Sequence, residues 1–382
     1  MRTKILFLAT LAAATGASHA ADWPDLSVKA DAGALGEFSA TANWAYDHNG
    51  FGHLGQGIDA AAFDDESAWR RREVGVALKR KDVYEFTVQR DLEAETWMDV
   101  SVKLLSKGLL GRDLGALRVG QFKTPVGFDG VGASRNTPFL ESALPVQATY
   151  AGRRVGAEWS LQRPAYLASV AWFDGNDLEG GNAGSTLAGR AAWVPRNAKG
   201  DVLHLGLAAS RERPDSETLR LRAKPEVGLT GVRLVDTGTL AGVDAVQRTG
   251  FEGLWIRGPW SVQGELLQVR ADRDGGLGDV SGNGGYVFGS WVVTGESRGY
   301  NGYASNVVPS ATSALELLVR YSRLDLDDGA VRGGKQSDWT LGVNWYLGRN
   351  VKLQANYVFA HARRDGVLRD PEAFGLRAQF QF

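Results

Sequence analysis

Apolar and polar residues alternate without interruption over the last nine positions of the chain. Phe374, Leu376, Ala378, Phe380 and Phe382 are apolar, and Gly375, Arg377, Gln379 and Gln381 stand between them. A two-residue period belongs to an extended strand with one greasy face and one polar face. The same alternation recurs upstream. Phe38, Ala40, Ala42, Trp44 and Tyr46 alternate with Ser39, Thr41 and Asn43, and Tyr84, Phe86 and Val88 with Glu85, Thr87 and Gln89. Met98, Val100, Val102 and Leu104 alternate with Asp99, Ser101 and Lys103. Leu315, Leu317, Val319 and Tyr321 alternate with Glu316, Arg320 and Ser322, and Val351, Leu353, Ala355, Tyr357 and Phe359 with Lys352, Gln354 and Asn356. Each run is about ten residues long, the length a tilted strand needs to cross a bilayer.

Counting such runs predicts sixteen strands, starting near 37, 69, 82, 96, 114, 152, 165, 186, 201, 247, 260, 284, 313, 337, 351 and 373. Their connections alternate in length. Short ones fall at 79–82, 162–164, 257–259 and 348–350, and long ones at 47–68, 123–149, 174–185, 211–246, 323–337 and 362–371. Short turns on one rim and long loops on the other are what a transmembrane barrel shows. An even count lets the sheet close without a free edge in lipid. One stretch, 294–312, is too long for the short-turn rim, so it is either an unusual periplasmic excursion or a slip of register. The strands at 247–257 and 260–271 alternate weakly. The expected fold is therefore all-β, a 16-stranded antiparallel transmembrane β-barrel whose closing strand turns its even residues to lipid and its odd residues to a wet lumen.

A soluble sandwich would also alternate, and three further features favour the barrel. The first is the N-terminus, where Arg2 and Lys4 precede an apolar run from Ile5 and a small-residue site at Ala20, the plan of a secretory signal. Cleavage is expected after Ala20, leaving 21–36 as a periplasmic segment and 37–382 as the barrel. The second is composition: 49 glycines and 12 tryptophans suit tight turns and aromatic girdles. The third is the absence of cysteine, so no disulfide framework holds an exported chain together. No run of 18 apolar residues provides a membrane-spanning helix. Whole-chain charge is −1, and loss of Arg2 and Lys4 with the signal leaves −3, which speaks against nucleic acid as a partner.

From about Trp69 onward the chain resembles the phosphate-selective porins of Gram-negative outer membranes, the O and P type. The segments that carry the likeness are Trp69-Arg-Arg-Arg-Glu-Val-Gly75, Leu117-Arg-Val-Gly-Gln-Phe-Lys-Thr-Pro125 and Phe139-Leu-Glu-Ser-Ala143. They continue with Leu219-Arg-Leu-Arg-Ala-Lys-Pro-Glu226, Val235-Asp-Thr-Gly238 and Gly258-Pro-Trp-Ser-Val-Gln-Gly-Glu265, then Val293-Thr-Gly-Glu-Ser-Arg298, Leu315-Glu-Leu317, Arg320-Tyr-Ser-Arg-Leu-Asp325 and Leu341-Gly-Val-Asn-Trp-Tyr346. The resemblance implies a homotrimer of sixteen-stranded barrels with the third loop, about 123–149, folded inward. It implies passive, anion-preferring transport of small solutes, phosphate or polyphosphate foremost, with a general diffusion porin as the alternative. Expected partners are outer-membrane lipid, lipopolysaccharide and the barrel assembly machinery, the last through the terminal Phe382.

Selectivity in such a pore rests on charges at a constriction. Arginine suits an oxyanion through its planar fork, lysine as a point charge. The resemblance puts Arg70, Arg71 and Arg72 at the mouth of the second strand, where strict alternation lets at most two face inward. It puts Lys123 and Arg135 at the narrowest point, and Arg220, Arg222 and Lys224 on one face of an extended ladder. Glu85, Asp99 and Glu316 read as lumen-facing and weaken the case for strict phosphate specificity. No cofactor or metal is expected. His48, His53 and Asp47 form at most a loose loop cluster, 274–285 reads as a flexible glycine-rich loop with no phosphate-cradle pattern, and no nucleophile elbow supports a hydrolase.

Overall fold

The computed structural model describes residues 26–54, 63–303 and 313–382. The expected signal, 1–20, lies outside them. Sixteen long strands form the barrel. They are β1 (Glu37–His53), β2 (Glu66–Arg80), β3 (Tyr84–Asp91), β4 (Thr96–Leu105), β5 (Ala116–Lys123), β6 (Arg153–Gln162), β7 (Tyr166–Asp174) and β8 (Gly184–Ala198). Next come β9 (Asp201–Pro214), β10 (Val243–Arg257), β11 (Trp260–Arg273), β12 (Val280–Val292), β13 (Ser313–Asp328), β14 (Val331–Leu347), β15 (Val351–Arg364) and β16 (Glu372–Gln381). Each pairs antiparallel with its sequence neighbours, and β1 pairs with both β2 and β16, from Asn43 opposite Gln381 to His53 opposite Glu372. That pairing closes the sheet and removes the edge that lipid could not satisfy. A short strand, Val28–Asp31, folds back on the start of β1.

The alternation sorts as expected on β16: Leu376 is exposed on the outer wall, and Arg377 and Gln379 are buried inside. Aromatic residues line the outside in cross-strand pairs, among them Trp260 stacked on Trp291 at 5.1 Å and Tyr46 edge-on to Trp69 at 5.3 Å. Three expected loops are largely strand instead, and one of them is 362–371, where Ala362 pairs with Arg369 and Arg364 with Val367. The stretch 323–337 is the tip of the β13–β14 hairpin, in which Arg323 pairs with Ser337 and Asp325 with Lys335 across a tight turn at 329–330. Of the glycine-rich run only 274–279 is loop, because β12 begins at Val280 and pairs with Ala271. Glycine and charge masked both strands, whose ends stand clear of the apolar band.

The lumen also departs from the wet interior expected. Two loops fill much of it: 124–152, after β5, and 215–242, after β9. Leu144 and Ala148 of the first and Leu221, Ala223, Val235 and Leu240 of the second pack together against Val243, Val246, Val269, Ala271, Leu324 and Leu326 of the wall. The weak alternation of β10 and β11 has its cause here, since their inward positions receive apolar loop surface and must be apolar too. From the short-turn rim a third segment enters. The register of the strands beside 293–312 holds, so no strand slips there, and the described part, 293–303, reaches inward. The Tyr303 hydroxyl donates to Glu158 at 2.5 Å, Tyr300 meets His204 at 2.6 Å, and Arg298 donates to Glu316 at 2.7 Å.

Candidate functional site

The constriction loop is held by its backbone. Within β5, three residues before its end, Gly120 has φ +127, and a Cβ there would lie 2.2 Å from the Val100 carbonyl oxygen, so only glycine permits this backbone. The Glu265 carboxylate accepts the N–H groups of Phe128 (2.6 Å) and Asp129 (2.8 Å) at the start of the short helix Phe128–Val131. The chain then crosses the lumen to the opposite wall. Lys352 Nζ donates to the carbonyls of Arg135 (3.0 Å) and Thr137 (3.2 Å), and Asn344 Nδ2 to that of Pro138 (2.9 Å). The Leu140 N–H donates to Asn356 (2.8 Å), Arg320 donates to the Glu141 carbonyl (3.0 Å), and the Leu144 N–H donates to Ser322 (3.0 Å).

Basic side chains follow this path. Arg70 and Arg71 both face the lumen, because β2 carries a bulge: Ala45 pairs with Arg71 and the next residue, Tyr46, with Trp69. Arg70 lies 3.4 Å from Glu141, and Arg71 lies 3.3 Å from Glu73. Arg72 points the other way and pairs with Glu93 at the rim, 46 % exposed. Strict alternation would have paired Arg70 with Arg72 inside; the bulge replaces Arg72 with Arg71.

Loop 215–242 supplies the outer basic residues. Alternation holds over its start, with Leu221 and Ala223 buried and Arg220 and Arg222 directed away from them. Arg220 forks onto Asp236 at 2.9 and 2.6 Å. Lys224 leaves that face and turns inward to Glu141 (2.8 Å) and the Gly228 carbonyl, so the three cations do not form one open ladder. Among the described residues the Arg222 and Arg233 side chains form no ion pair and no hydrogen bond. Burial together with neighbouring Arg222 lowers the Arg233 pKa from its ordinary value.

Below the loop a cavity of about 310 Å³ opens in the barrel, lined by Arg118, Lys123, Arg135, Arg153 and Arg190. Four carboxylates, Glu73, Glu85, Asp99 and Glu158, line it too. Asp99 binds Arg118 (3.0 Å) and Arg153 (2.8 Å), and Lys123 donates to the carbonyls of Gly130 (3.0 Å) and Gly132 (2.5 Å). Lys123 thus bonds the base of this loop while it lines the cavity. Arg135 is different: its carbonyl is bonded by Lys352 and Gln379, and among the described residues its guanidinium has no partner. Glu316 lies inside but is engaged by Arg298.

Arg118, Arg153, Arg190 and Arg233 are not marked as site residues by the sequence, and Arg377 is marked only as lumen-facing. Alternation with Leu117 and Val119 marks Arg118 as inward, and the β16 pattern does so for Arg377, which binds Asp47 at 2.7 Å. Nothing local marks Arg153 at the first position of a strand or Arg233 in a loop. The loose histidine cluster is divided by the wall, because Asp47 faces inward to Arg377 while His48 contacts Ser67 at 2.7 Å on the exposed side. The His53 side chain lies outside the described residues. Among those residues no group of three or more metal-ligating side chains comes together.

Residues 38–382 match the family described as phosphate-selective porin O and P. The chain belongs to that family. It is 28% identical over 262 residues to Porin O of Pseudomonas aeruginosa, which covers 58% of this chain and 59% of that protein. It is 31% identical over 250 residues to an uncharacterized protein of Caulobacter vibrioides, covering 60% of this chain and 49% of that protein. The matches thus span about half to three-fifths of these curated relatives. In fold it is similar to an anion-selective porin from Comamonas acidovorans, with a TM-score of 0.57 and 13% identity, over 90% of this chain and 99% of that one. OmpT of Vibrio cholerae gives a TM-score of 0.58 and 10% identity, over 91% of this chain and 97% of that one. The family and the fold are those of porins.

Proposed function

We propose that this porin passes small hydrophilic anions down their gradient, phosphate or polyphosphate foremost. The observation that carries the reading is the series of basic side chains from mouth to cavity in which some have no counter-charge: Arg222 and Arg233 outermost, Lys224, Arg70 and Arg71 deeper, and Arg135 beside Lys123 at the cavity. Unpaired guanidinium groups give an oxyanion donors in sequence, each strong enough to replace hydration and weak enough to release. The family name, the relative called Porin O and the anion-selective neighbour point the same way.

A second reading has its own observation. Four carboxylates share the cavity with five cations, so the net positive charge at the narrowest part is small. That favours a general diffusion porin with weak selectivity. Phosphate titrated into chloride separates the two in a planar bilayer: block of chloride current at low phosphate supports the anion channel, and large unblocked steps support the general porin.

The assembly proposed is a homotrimer burying part of the apolar outer wall, as a trimer form is recorded for the neighbour OmpT. Lipopolysaccharide would surround the remainder of that wall, and the terminal Phe382 would be the handle for the assembly machinery. Residues 1–20 would be removed on export, leaving 21–36 as a periplasmic segment before the barrel.

A further inference from the structure

We propose that Glu141 is a resident counter-anion of the basic series, standing where a permeating oxyanion must bind and setting how weakly that anion is held. The proposal rests on the anion-channel reading and extends it to a residue that determines affinity.

Glu141 Oε2 lies 2.8 Å from Lys224 Nζ and 3.4 Å from Arg70 Nη2, and the other oxygen accepts the Ser142 N–H at 3.2 Å. Its side chain is 11 % exposed, and its field reaches Arg71 and Arg233 as well. Two loops and one wall strand therefore converge on a single carboxylate. Donors outnumber what it can satisfy, since Arg70 Nε, Arg71 Nε and Arg233 Nη1 are buried without a protein acceptor among the described residues. A carboxylate and a phosphate oxygen accept from the same donors, so an entering oxyanion shares the groups that Glu141 now occupies.

The side chain is not what holds the loop. The flanking backbone does that, through Leu140 to Asn356, the Glu141 carbonyl to Arg320, and Leu144 to Ser322. The carboxylate is free to act on charge. It repels a second anion, lowers its affinity, and takes back Lys224 and Arg70 as that anion leaves. Weak binding with ready release is the requirement of conduction. Neighbouring cations, despite burial, keep this carboxyl at about 2, so it stays charged under working conditions.

The test is Glu141→Gln, which keeps the shape and removes the charge. Chloride current is recorded in planar bilayers with inorganic phosphate titrated in, beside wild type and Glu141→Asp. The phosphate concentration for half-block should fall at least tenfold in Glu141→Gln and stay within threefold of wild type in Glu141→Asp. The double variant Glu141→Gln with Lys224→Gln should move back toward wild type. Heat-modifiable gel mobility confirms a folded barrel, and Glu141→Ser carries the same expectation should the glutamine variant fail to fold. Reversal potentials of wild type in a chloride gradient test the anion reading separately. A wild type that prefers anions and is blocked by phosphate, with half-block unchanged in Glu141→Gln, would overturn the counter-anion role alone.

Discussion

Neutralising the two unpaired mouth arginines, Arg222→Gln with Arg233→Gln, should slow anion capture by an amount that depends on salt. Neither side chain forms an ion pair among the described residues, and Glu141 and Asp236 offset only part of the Arg233 charge, so most of their field acts on an approaching ion. A divalent phosphate about 10 Å from one unit charge in water gains roughly 0.8 kcal/mol, and two such charges give about 1.7 kcal/mol before screening. One Debye length at 0.1 M salt cuts this to about 0.6 kcal/mol, whereas 0.01 M salt leaves about 1.2 kcal/mol. The block rate should therefore fall about threefold at 0.1 M and about eightfold at 0.01 M. The assay is current-noise analysis of many channels at pH 8, with phosphate added from the extracellular side. The release rate should change little, because the deeper Lys224, Arg70 and Arg71 remain. An equal loss at both salt concentrations would refute the electrostatic account, and no loss at either would remove these residues from the path.

Leu144→Ala opens a hole where both inward loops meet the wall, at a fully buried position. It should cost roughly 2–5 kcal/mol locally, read as increased open-channel noise with the barrel's heat-modifiable mobility retained. Asp47→Ala strands the buried Arg377 guanidinium, a loss of about 3–5 kcal/mol, and should lower the temperature at which the barrel opens on gels; Arg72→Ala at the exposed rim should leave it nearly unchanged. Glu141, held at about 2 against an ordinary 4.5, binds fewer protons folded than unfolded over that range. Its contribution is complete above about pH 4.5 and is lost as pH falls toward 2. The gel-opening temperature of wild type minus that of Glu141→Gln should be constant from pH 8 to 5 and shrink below pH 4.5; a difference that grew on acidification would contradict the assignment.

The wall was legible in the sequence because lipid and lumen impose a period of two, and strands such as β15 and β16 obey it, whereas a bulge in β4 brings Met98 to the cavity beside Asp99. Legibility failed where something other than lipid or water faces the strand. The inward positions of β10 and β11 are apolar because Leu144 and Leu221 rest on them, and the polar ends of β12, β13 and β14 stand beyond the apolar band. At the site, Arg70 was marked by the resemblance, but the choice of Arg71 over Arg72 came from a bulge that one sequence does not announce. Lys224 was in the right segment with the wrong neighbour: only the fold brings Glu141 from a distant loop to meet it. Arg233 had no signal, since loop residues acquire their role from packing alone.

Uncompensated arginines would make this porin prefer anions. Reversal potential of the purified wild-type protein in a planar bilayer, under a tenfold potassium chloride gradient, tests it most directly. The potential should be displaced toward the chloride equilibrium value. A potential near zero, or displaced toward that of potassium, would contradict it.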